Sequence, residues 1–434
     1  MDTRLSDGNT MADTSYNTHK DPSVPVLFSS PEQCCGCGAC AAACPVQAIS
    51  LHEDGCGYVY PQIDETLCIR CGRCKQVCGY QHALVSESAG NAYAAATSNT
   101  QIKQSASGGI FGAMARAMLE QGGIVVGCRY DNCNGLLYAA HHVVDDKADL
   151  PALLGSKYVQ SDMDSVYPKV KQYIKDGQDV LFSGTPCQIA GLHGYLGEKL
   201  WASPHLVTID LVCHGVPNQK MLQSYLAEVK QKYANNSEVV DARFRPKRDG
   251  WSNSLQLELV FSDGSEKFIP SDQSSYYDAF LALKTLRESC YHCPFAGRKR
   301  PADLTIGDFW GIEEQCPELL EGNGGPFSLF AGVSCVLVNS DRGSEWLEKL
   351  GSQLTMEQVP FEAVAAQNAQ LKAPAALPKD RADWLRAFEQ GGWDEVEHLW
   401  LRAKRKQNLR RRVGKLFPVS VKHVIKAVGK QLRL

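Results

Sequence analysis

Two runs of four cysteines lie near the amino-terminal end of the 434-residue chain, and each has the spacing C-x2-C-x2-C-x3-C. This spacing is typical of bacterial ferredoxin modules with two 4Fe–4S clusters, in which the fourth cysteine of each run ligates the cluster of the other run. The pattern therefore predicts two clusters that carry electrons. The predicted ligand sets are Cys34, Cys37, Cys40 and Cys78 for one cluster, and Cys68, Cys71, Cys74 and Cys44 for the other.

Clustered cysteines can also form a disulfide framework or bind zinc. A structural zinc site typically combines two C-x2-C pairs separated by a longer spacer, whereas each run here has four close cysteines. In the first run, Cys44 is followed by Pro45, as in ferredoxin runs. The spacing therefore favours iron–sulfur clusters over both alternatives.

Two cysteines in the central part of the chain each follow an apolar stretch that is typical of a buried strand. Cys187 comes after a strand predicted at 180–182, and Cys213 comes after a strand predicted at 207–212. Loops at the carboxyl ends of strands are where α/β sheets bind ligands, so we expect these two cysteines to come close in space. Free cysteine is also common in protein cores, and that reading stays open.

The polar loop 105–109 precedes a helix predicted at 110–121, with Ser107 as its N-cap. Amide groups at a helix start attract phosphate, so this loop is a candidate site for the pyrophosphate of a dinucleotide. An ordinary capped helix is the alternative. The strand predicted at 124–126 follows the helix, and no G-x-G-x-x-G opens a βαβ unit, which argues against NAD binding of the Rossmann type.

Six sequence blocks in a fixed order resemble the beta subunits of coenzyme F-420 (deazaflavin) hydrogenases and dehydrogenases. They are SASGGI (105–110), GSKYVQS (155–161), SGTPCQIAGL (183–192), DLVCHGVP (210–217), the C-x2-C at 290–293 and RPADLTIGDFWGI (300–312). The resemblance covers roughly residues 90–340. It implies an FAD-binding α/β (mixed α+β) core with its own 4Fe–4S cluster, behind an N-terminal bacterial-type two-cluster ferredoxin domain and before a C-terminal basic helical tail.

The resemblance also implies site residues. The candidate ligands of the third cluster are Cys187, Cys213, Cys290 and Cys293. A redox-active dithiol at the C-x2-C and a single nucleophilic Cys187 are alternatives. The candidate flavin contacts are Ser107, Gly108 and Gly109 for phosphate, with Ser156, Lys157 and Tyr158 nearby. The candidate catalytic residues are Cys187 and two proton donors, His214 and Asp308, although His214 also fits a buried structural histidine.

Five segments are expected along the chain. They are a disordered leader (1–30), the ferredoxin domain (31–82), the N-terminal region of the F-420 beta-subunit fold (90–165), the C-terminal region of that fold (166–395) and the basic tail (396–434). No apolar run approaches the length of a membrane span, and the leader lacks the apolar core of a signal peptide. Eighteen cysteines, most of them expected to be reduced and metal-bound, favour a cytoplasmic location.

The carboxyl-terminal end is strongly basic, with twelve Lys or Arg and no acid over residues 402–434. A helix is predicted at 394–417, and an amphipathic cationic helix at 419–434 fits the surface of an anionic membrane. Partner docking and a solvated helix are alternatives. Nothing else in the chain favours nucleic acid.

These patterns together predict an iron–sulfur flavoprotein oxidoreductase. Electrons would pass between ferredoxin-type clusters and FAD, and on to or from an organic or deazaflavin acceptor that the sequence does not name. A protein such as ferredoxin is the expected electron partner. The alternative is a non-catalytic electron-transfer subunit of a larger redox complex, in a pathway such as surface polysaccharide synthesis.

Overall fold

The computed structural model describes residues 23–85, 90–97, 102–103, 105–133, 135–163, 165–233 and 237–416, and side chains as far as residue 405. The amphipathic helix predicted at 419–434 and most of the predicted leader lie outside the described residues. The membrane contact of the basic tail therefore stays a prediction. Within the described part, no helix is both long enough and apolar enough to cross a bilayer.

The strands of the described chain are β1 (Ile49–Glu53), β2 (Val59–Ile63), β3 (Asn91–Thr97), β4 (Ile124–Cys133), β5 (Leu136–Val144), β6 (Val180–Gly184), β7 (Leu206–Leu211), β8 (Val239–Phe244), β9 (Gln256–Phe261), β10 (Glu266–Pro270), β11 (Leu304–Asp308), β12 (Ser334–Val338) and β13 (Leu354–Val359). The helices are α1 (Ala39–Ala42), α2 (Arg73–Gln76), α3 (Ile110–Glu120), α4 (Leu150–Leu153), α5 (Val166–Lys175), α6 (Pro186–Leu196), α7 (Glu198–Trp201), α8 (Gln219–Tyr233), α9 (Ser275–Leu281), α10 (Ile312–Gln315), α11 (Asp341–Leu350), α12 (Phe361–Ala365) and α13 (Arg381–Leu416).

The centre of the molecule is an eight-stranded sheet in the order β13-β3-β12-β11-β7-β6-β4-β5. The neighbouring strands β4, β6, β7 and β11 are parallel, so their carboxyl ends meet at one edge. Val180, Leu181 and Phe182 of β6 are apolar and fully buried because helices cover both faces of the sheet. The mixed α/β core was predicted, and this edge is where the prediction placed its site.

Successive side chains of the central strands pack into two different cores. Leu181 and Val207 face α3 and α11, whereas Val180, Phe182 and Leu206 face α5 and α6. This alternation follows from the two-residue period of a strand. Because helices pack on both faces of the sheet, the end of each central strand is held in a fixed position at the edge.

A second core lies beside the sheet. It joins α8, α9 and α13 to the three-stranded antiparallel sheet β10-β9-β8 and contains Trp384, Trp393 and Trp400. Helix α13 is interrupted at Gly391 and Gly392, whose backbone angles are not helical. The sequence prediction found only the part of α13 that follows this break.

Residues 31–82, here called the dicluster module, consist of two cysteine loops around the β1–β2 hairpin. Each cysteine run forms a one-turn helix, α1 or α2. Gly38 and Gly72 precede these helices with φ of 77° and 72°, a conformation that side-chain-bearing residues rarely adopt. The glycines thereby let the backbone turn within each cysteine run.

The dicluster module packs against α6 through glycine residues, which let the two backbones approach closely. A Cβ atom added at Gly194 would lie 2.3 Å from the carbonyl oxygen of Val77, and one at Gly191 would lie 2.9 Å from the sulfur of Cys37. A Cβ atom at Gly79 would lie 1.8 Å from the carbonyl oxygen of Ala190. Gly79 stands where a symmetric ferredoxin would have proline, and this contact explains why a larger residue does not fit.

We expect Gly79→Ala to loosen the dicluster module from α6, because the new methyl group has no space against the α6 backbone. The expected loss is about 1–3 kcal/mol of unfolding free energy, measured by denaturant titration. Gly322→Ala is the matched control, since its Cβ atom would meet nothing within 4 Å. Equal stability of the two variants would contradict this account of the interface.

Candidate metal centres

Four cysteines of the dicluster module, here called the inner set, come together beside α6: Cys34, Cys37, Cys40 and Cys78. Burial raises the pKa of Cys40, and the neighbouring sulfurs of Cys37, Cys34 and Cys78 raise it further. Cys78 comes from the second run, so the structure brings together the members of the predicted crossed set. The inner set has the four thiols that one cubane needs.

The other four cysteines of the module, here called the outer set, line a pocket of about 320 Å³: Cys44, Cys68, Cys71 and Cys74. Cys44 comes from the first run and the others from the second, again as predicted. Cys71 is exposed, and the neighbouring Leu67 and Ile69 are 53% and 51% exposed. The outer set therefore lies at the surface, whereas the inner set lies against the core.

The four core cysteines, here called the core quartet, line one pocket of about 530 Å³: Cys187, Cys213, Cys290 and Cys293. The first two follow β6 and β7 at the shared carboxyl edge of the sheet. The C-x2-C pair comes from the segment after α9. The structure thus brings together four thiols from three separate parts of the chain.

The pKa values of the core quartet bear on the alternative of a redox-active dithiol. Burial raises the pKa of Cys290 to about 12 and that of Cys293 to about 11, whereas a reactive dithiol needs a lowered pKa. The pKa of Cys187 is lowered, mainly by a hydrogen bond from Cys35. Raised pKa values at the C-x2-C pair suit metal binding better than a reactive dithiol, because a bound cation would stabilise the thiolates against burial.

The spacing of the sulfurs also bears on zinc. In the described part of the chain, no three cysteines have sulfur atoms that all lie within 4.8 Å of one another. The thiolates of a tetrahedral zinc site, with Zn–S bonds of about 2.3 Å, would lie about 3.8 Å apart. Within the described residues, the cysteine sets therefore do not have the close spacing of a preformed zinc site.

Cys35 connects the inner set with the core quartet. It is buried, and its thiol contacts the sulfurs of Cys37 and Cys187. The hydrogen bonds to these two sulfurs raise the pKa of Cys35, while the pKa of Cys37 is lowered to about 7. The spacing of the cysteine runs predicted no role for Cys35. The doubled cysteine at 34–35 was the only signal for it.

The predicted phosphate loop is only partly free to bind a ligand. Gly109, with φ of 88°, is the residue before α3, so the prediction of Ser107 as N-cap was wrong. The Ser107 hydroxyl donates to the Val333 carbonyl oxygen instead, because β12 runs beside this loop. The Gly108 amide donates to the Ser334 hydroxyl. The first amides of α3 have no partners within the helix, so phosphate binding there stays a prediction.

The second predicted flavin loop contains Ser156, Lys157 and Tyr158. Lys157 donates to the carbonyl oxygens of Ala152 and Leu154 and so holds its own loop. Ser156 forms an isolated bridge with Phe244. Tyr158 stacks on Phe280 with 4.5 Å between ring centroids, which leaves it as the member of this loop best suited to contact an aromatic ligand.

A buried ion pair lies between these loops. Asp308, at the end of β11, accepts hydrogen bonds from Arg245 and from the indole nitrogen of Trp251. Lys247 is also buried and donates to the carbonyl oxygens of Ile102, Ser107 and Ala331. Its burial lowers its pKa to about 7, so a nearby anion would keep it charged. Neither cation was predicted as a site residue, although the sequence contains a basic turn at 245–248.

His214 lies at the pocket of the core quartet, next to Cys213. Its Nδ1 lies 3.2 Å from the amide nitrogen of Gln370, and its ring packs against Phe280. Burial lowers its pKa, so the ring is neutral near pH 7. The contacts suit the predicted buried histidine and also leave His214 at the pocket wall.

The fold and the cysteine sets define an iron–sulfur redox protein. Residues 33–81 match the family model of the 4Fe–4S dicluster domain. Residues 177–363 match the family model that describes the carboxyl terminus of the beta subunit of coenzyme F-420 hydrogenase/dehydrogenase. The chain therefore matches a dicluster domain and, farther along, the C-terminal domain of this beta-subunit family, the same resemblance that the sequence blocks indicated. It is related to a redox subunit of hydrogenases and dehydrogenases.

Curated proteins gave no match to this chain. Among solved structures, a chain of the xenon-derivatised F-420-reducing nickel–iron hydrogenase complex from Methanosarcina barkeri is 17% identical. The alignment covers 71% of this chain and 90% of that chain, with a TM-score of 0.40.

We expect Asp308→Asn to destabilise the protein, because it leaves the buried guanidinium of Arg245 without its carboxylate. Arg245 is 2% exposed at its side chain, and breaking such a pair costs about 3–5 kcal/mol of unfolding free energy. Asp383→Asn is the control, since its pair with Arg386 is exposed and contributes about 0–1 kcal/mol. Similar unfolding midpoints for both variants would show that the buried pair does not hold β11.

Proposed function

We propose that this protein is an iron–sulfur flavoprotein oxidoreductase with three 4Fe–4S clusters and one FAD. The observation that carries the proposal is the core quartet, which lines one pocket at the carboxyl edge of the sheet and contacts the inner set through Cys35. A third cluster in this pocket would continue the path of the two clusters in the dicluster domain. The family of the core supports a redox role.

The proposed order of electron transfer runs from the outer set to the inner set and then to the core quartet, or in reverse. The outer set lies at the surface, where a partner can approach it. The inner set is covered by α6, and Cys35 lies between it and Cys187. In this order, the cysteine set at the surface exchanges electrons with a partner, and the buried sets pass them on inside the protein.

The residues around Asp308 fit FAD in part. Arg245 and Lys247 supply positive charge for phosphate, and Tyr158 offers a ring for stacking. Ser107 and Lys157 are already engaged with backbone carbonyls, so we assign them to holding the loops. When bound, FAD would link the single-electron chemistry of the clusters to the two-electron chemistry of an organic or deazaflavin acceptor.

The alternative function is an electron-transfer subunit that needs a catalytic partner chain. The exposed Leu67 and Ile69 beside the outer set favour contact with another protein. The two functions differ in one measurement. A subunit would pass electrons only to its partner or to artificial dyes, whereas an enzyme would turn over a small molecule by itself.

Metal analysis tests the third cluster. We expect anaerobically purified protein to contain about twelve iron atoms per chain and Cys187→Ser to contain about eight, because only the core quartet loses a ligand. Cys133→Ser is the control, since this exposed cysteine belongs to none of the three sets. Unchanged iron in the Cys187 variant would overturn the assignment of the core quartet.

Flavin content tests the site between the loops. We expect Lys247→Met to lose most of its FAD and to keep its iron, because the variant lacks a buried cation that would face the phosphates. Lys147→Met changes an exposed lysine and should keep both cofactors. FAD retained in full by the Lys247 variant would place the flavin elsewhere.

A further inference from the structure

Arg287 is a buried arginine at the interface of the dicluster module and the core. The residue is 1% exposed. Its Nε donates to the carbonyl oxygen of Cys34 at 3.0 Å, and its terminal nitrogens donate to the Gln160 side-chain oxygen at 3.1 Å and to the Val59 carbonyl oxygen at 2.5 Å. The guanidinium also lies 4.3 Å from the ring centroid of Tyr60. All of these partners are neutral.

The absence of a carboxylate partner sets Arg287 apart from other buried arginines. Arg245, Arg300 and Arg381 each form an ion pair: with Asp308, Asp210 and Glu288 respectively. Among the described residues, Arg287 forms none. A buried cation without a counter-charge is strongly destabilising, so an anion other than a carboxylate must compensate it.

The groups that can compensate Arg287 are cysteine sulfurs. The guanidinium of Arg287 donates to the carbonyl oxygen of Cys34 and also hydrogen-bonds the Cys34 thiol. Cys34 is a member of the inner set, so the positive charge of Arg287 lies directly at a ligand of that set.

The chain backbone makes room for this arginine. A Cβ atom on Gly36 would lie 2.8 Å from the central carbon of the guanidinium and 2.8 Å from the Val59 carbonyl oxygen. The loop of the inner set is thus shaped around the cation. Gln160, from the GSKYVQS block, fixes it from the other side and donates to the carbonyl oxygen of Cys35.

We propose that Arg287 is the counter-charge of the cluster at the inner set and raises the reduction potential of that cluster. Reduction adds one negative charge to a cluster, so a cation held nearby favours the reduced form. Arg287 is a positioning residue, because it contacts Cys34 and acts through it. The inference rests on the cluster positions of the proposed function, and it adds a residue that sets the potential of one of those clusters.

The test is a potentiometric titration of the anaerobic full-length protein, followed by electron paramagnetic resonance. We expect Arg287→Gln to lower the potential of the inner cluster by at least about 59 mV, which is a tenfold change in its one-electron equilibrium. Gln160→Glu should lower it as well, because it gives Arg287 a carboxylate partner. Arg287→Lys should stay near the wild-type value, since it keeps the charge.

Arg386→Gln is the matched control, because it removes an exposed positive charge and should leave all potentials unchanged. Iron content is measured for every variant. Normal iron with unshifted potentials in Arg287→Gln and Gln160→Glu would overturn the role of Arg287. Equal shifts in Arg287→Lys and Arg287→Gln would show that Arg287 acts through its shape and not through its charge, which would also overturn the proposal. Wild-type protein without cluster signals would instead refute the proposed function.

Discussion

The close contact between α6 and the dicluster module is the constraint on which the rest of the site depends. The same helix carries Cys187 of the core quartet near its start and Gly191 against the sulfur of Cys37. Four residues of α-helix span about 6 Å along the axis, so a rigid element sets the separation of two cysteine sets. Glycine at position 191 is needed because any side chain there would push the inner set away.

The second requirement is that buried cysteine ligands must be stabilised as thiolates. Burial alone raises the pKa of Cys40, Cys213 and Cys290, which works against thiolate ligands. The protein opposes this with short-range features: the Cys35 thiol between two sulfurs, the amide end of α6 beside Cys187, and the Arg287 charge. These features lie at the interface between the dicluster module and the core. The docking of the module and the stabilisation of its thiolates therefore depend on each other.

The sequence predicted the parts of this arrangement that local rules determine. The crossed cysteine sets follow from spacing, and the meeting of Cys187 with Cys213 follows from their position after adjacent parallel strands. The positions of Arg287 and Gly191 could not be predicted in this way, because their partners Cys34 and Cys37 lie more than 150 residues away in the chain. Ser107 was assigned as a cap because the sequence did not show that β12 would offer it the Val333 carbonyl.

The two candidate regions at the edge of the sheet are joined by aromatic rings. His214, at the wall of the core quartet's pocket, lies 5.2 Å from Phe280, and Phe280 stacks on Tyr158 at 4.5 Å between centroids. Burial raises the pKa of Tyr158, and its neighbour Arg245 opposes that rise. A continuous series of ring contacts therefore leads from the core quartet to the buried cations. Packed rings leave little room between the two regions, so the proposed cluster and the proposed flavin could share one edge of the sheet.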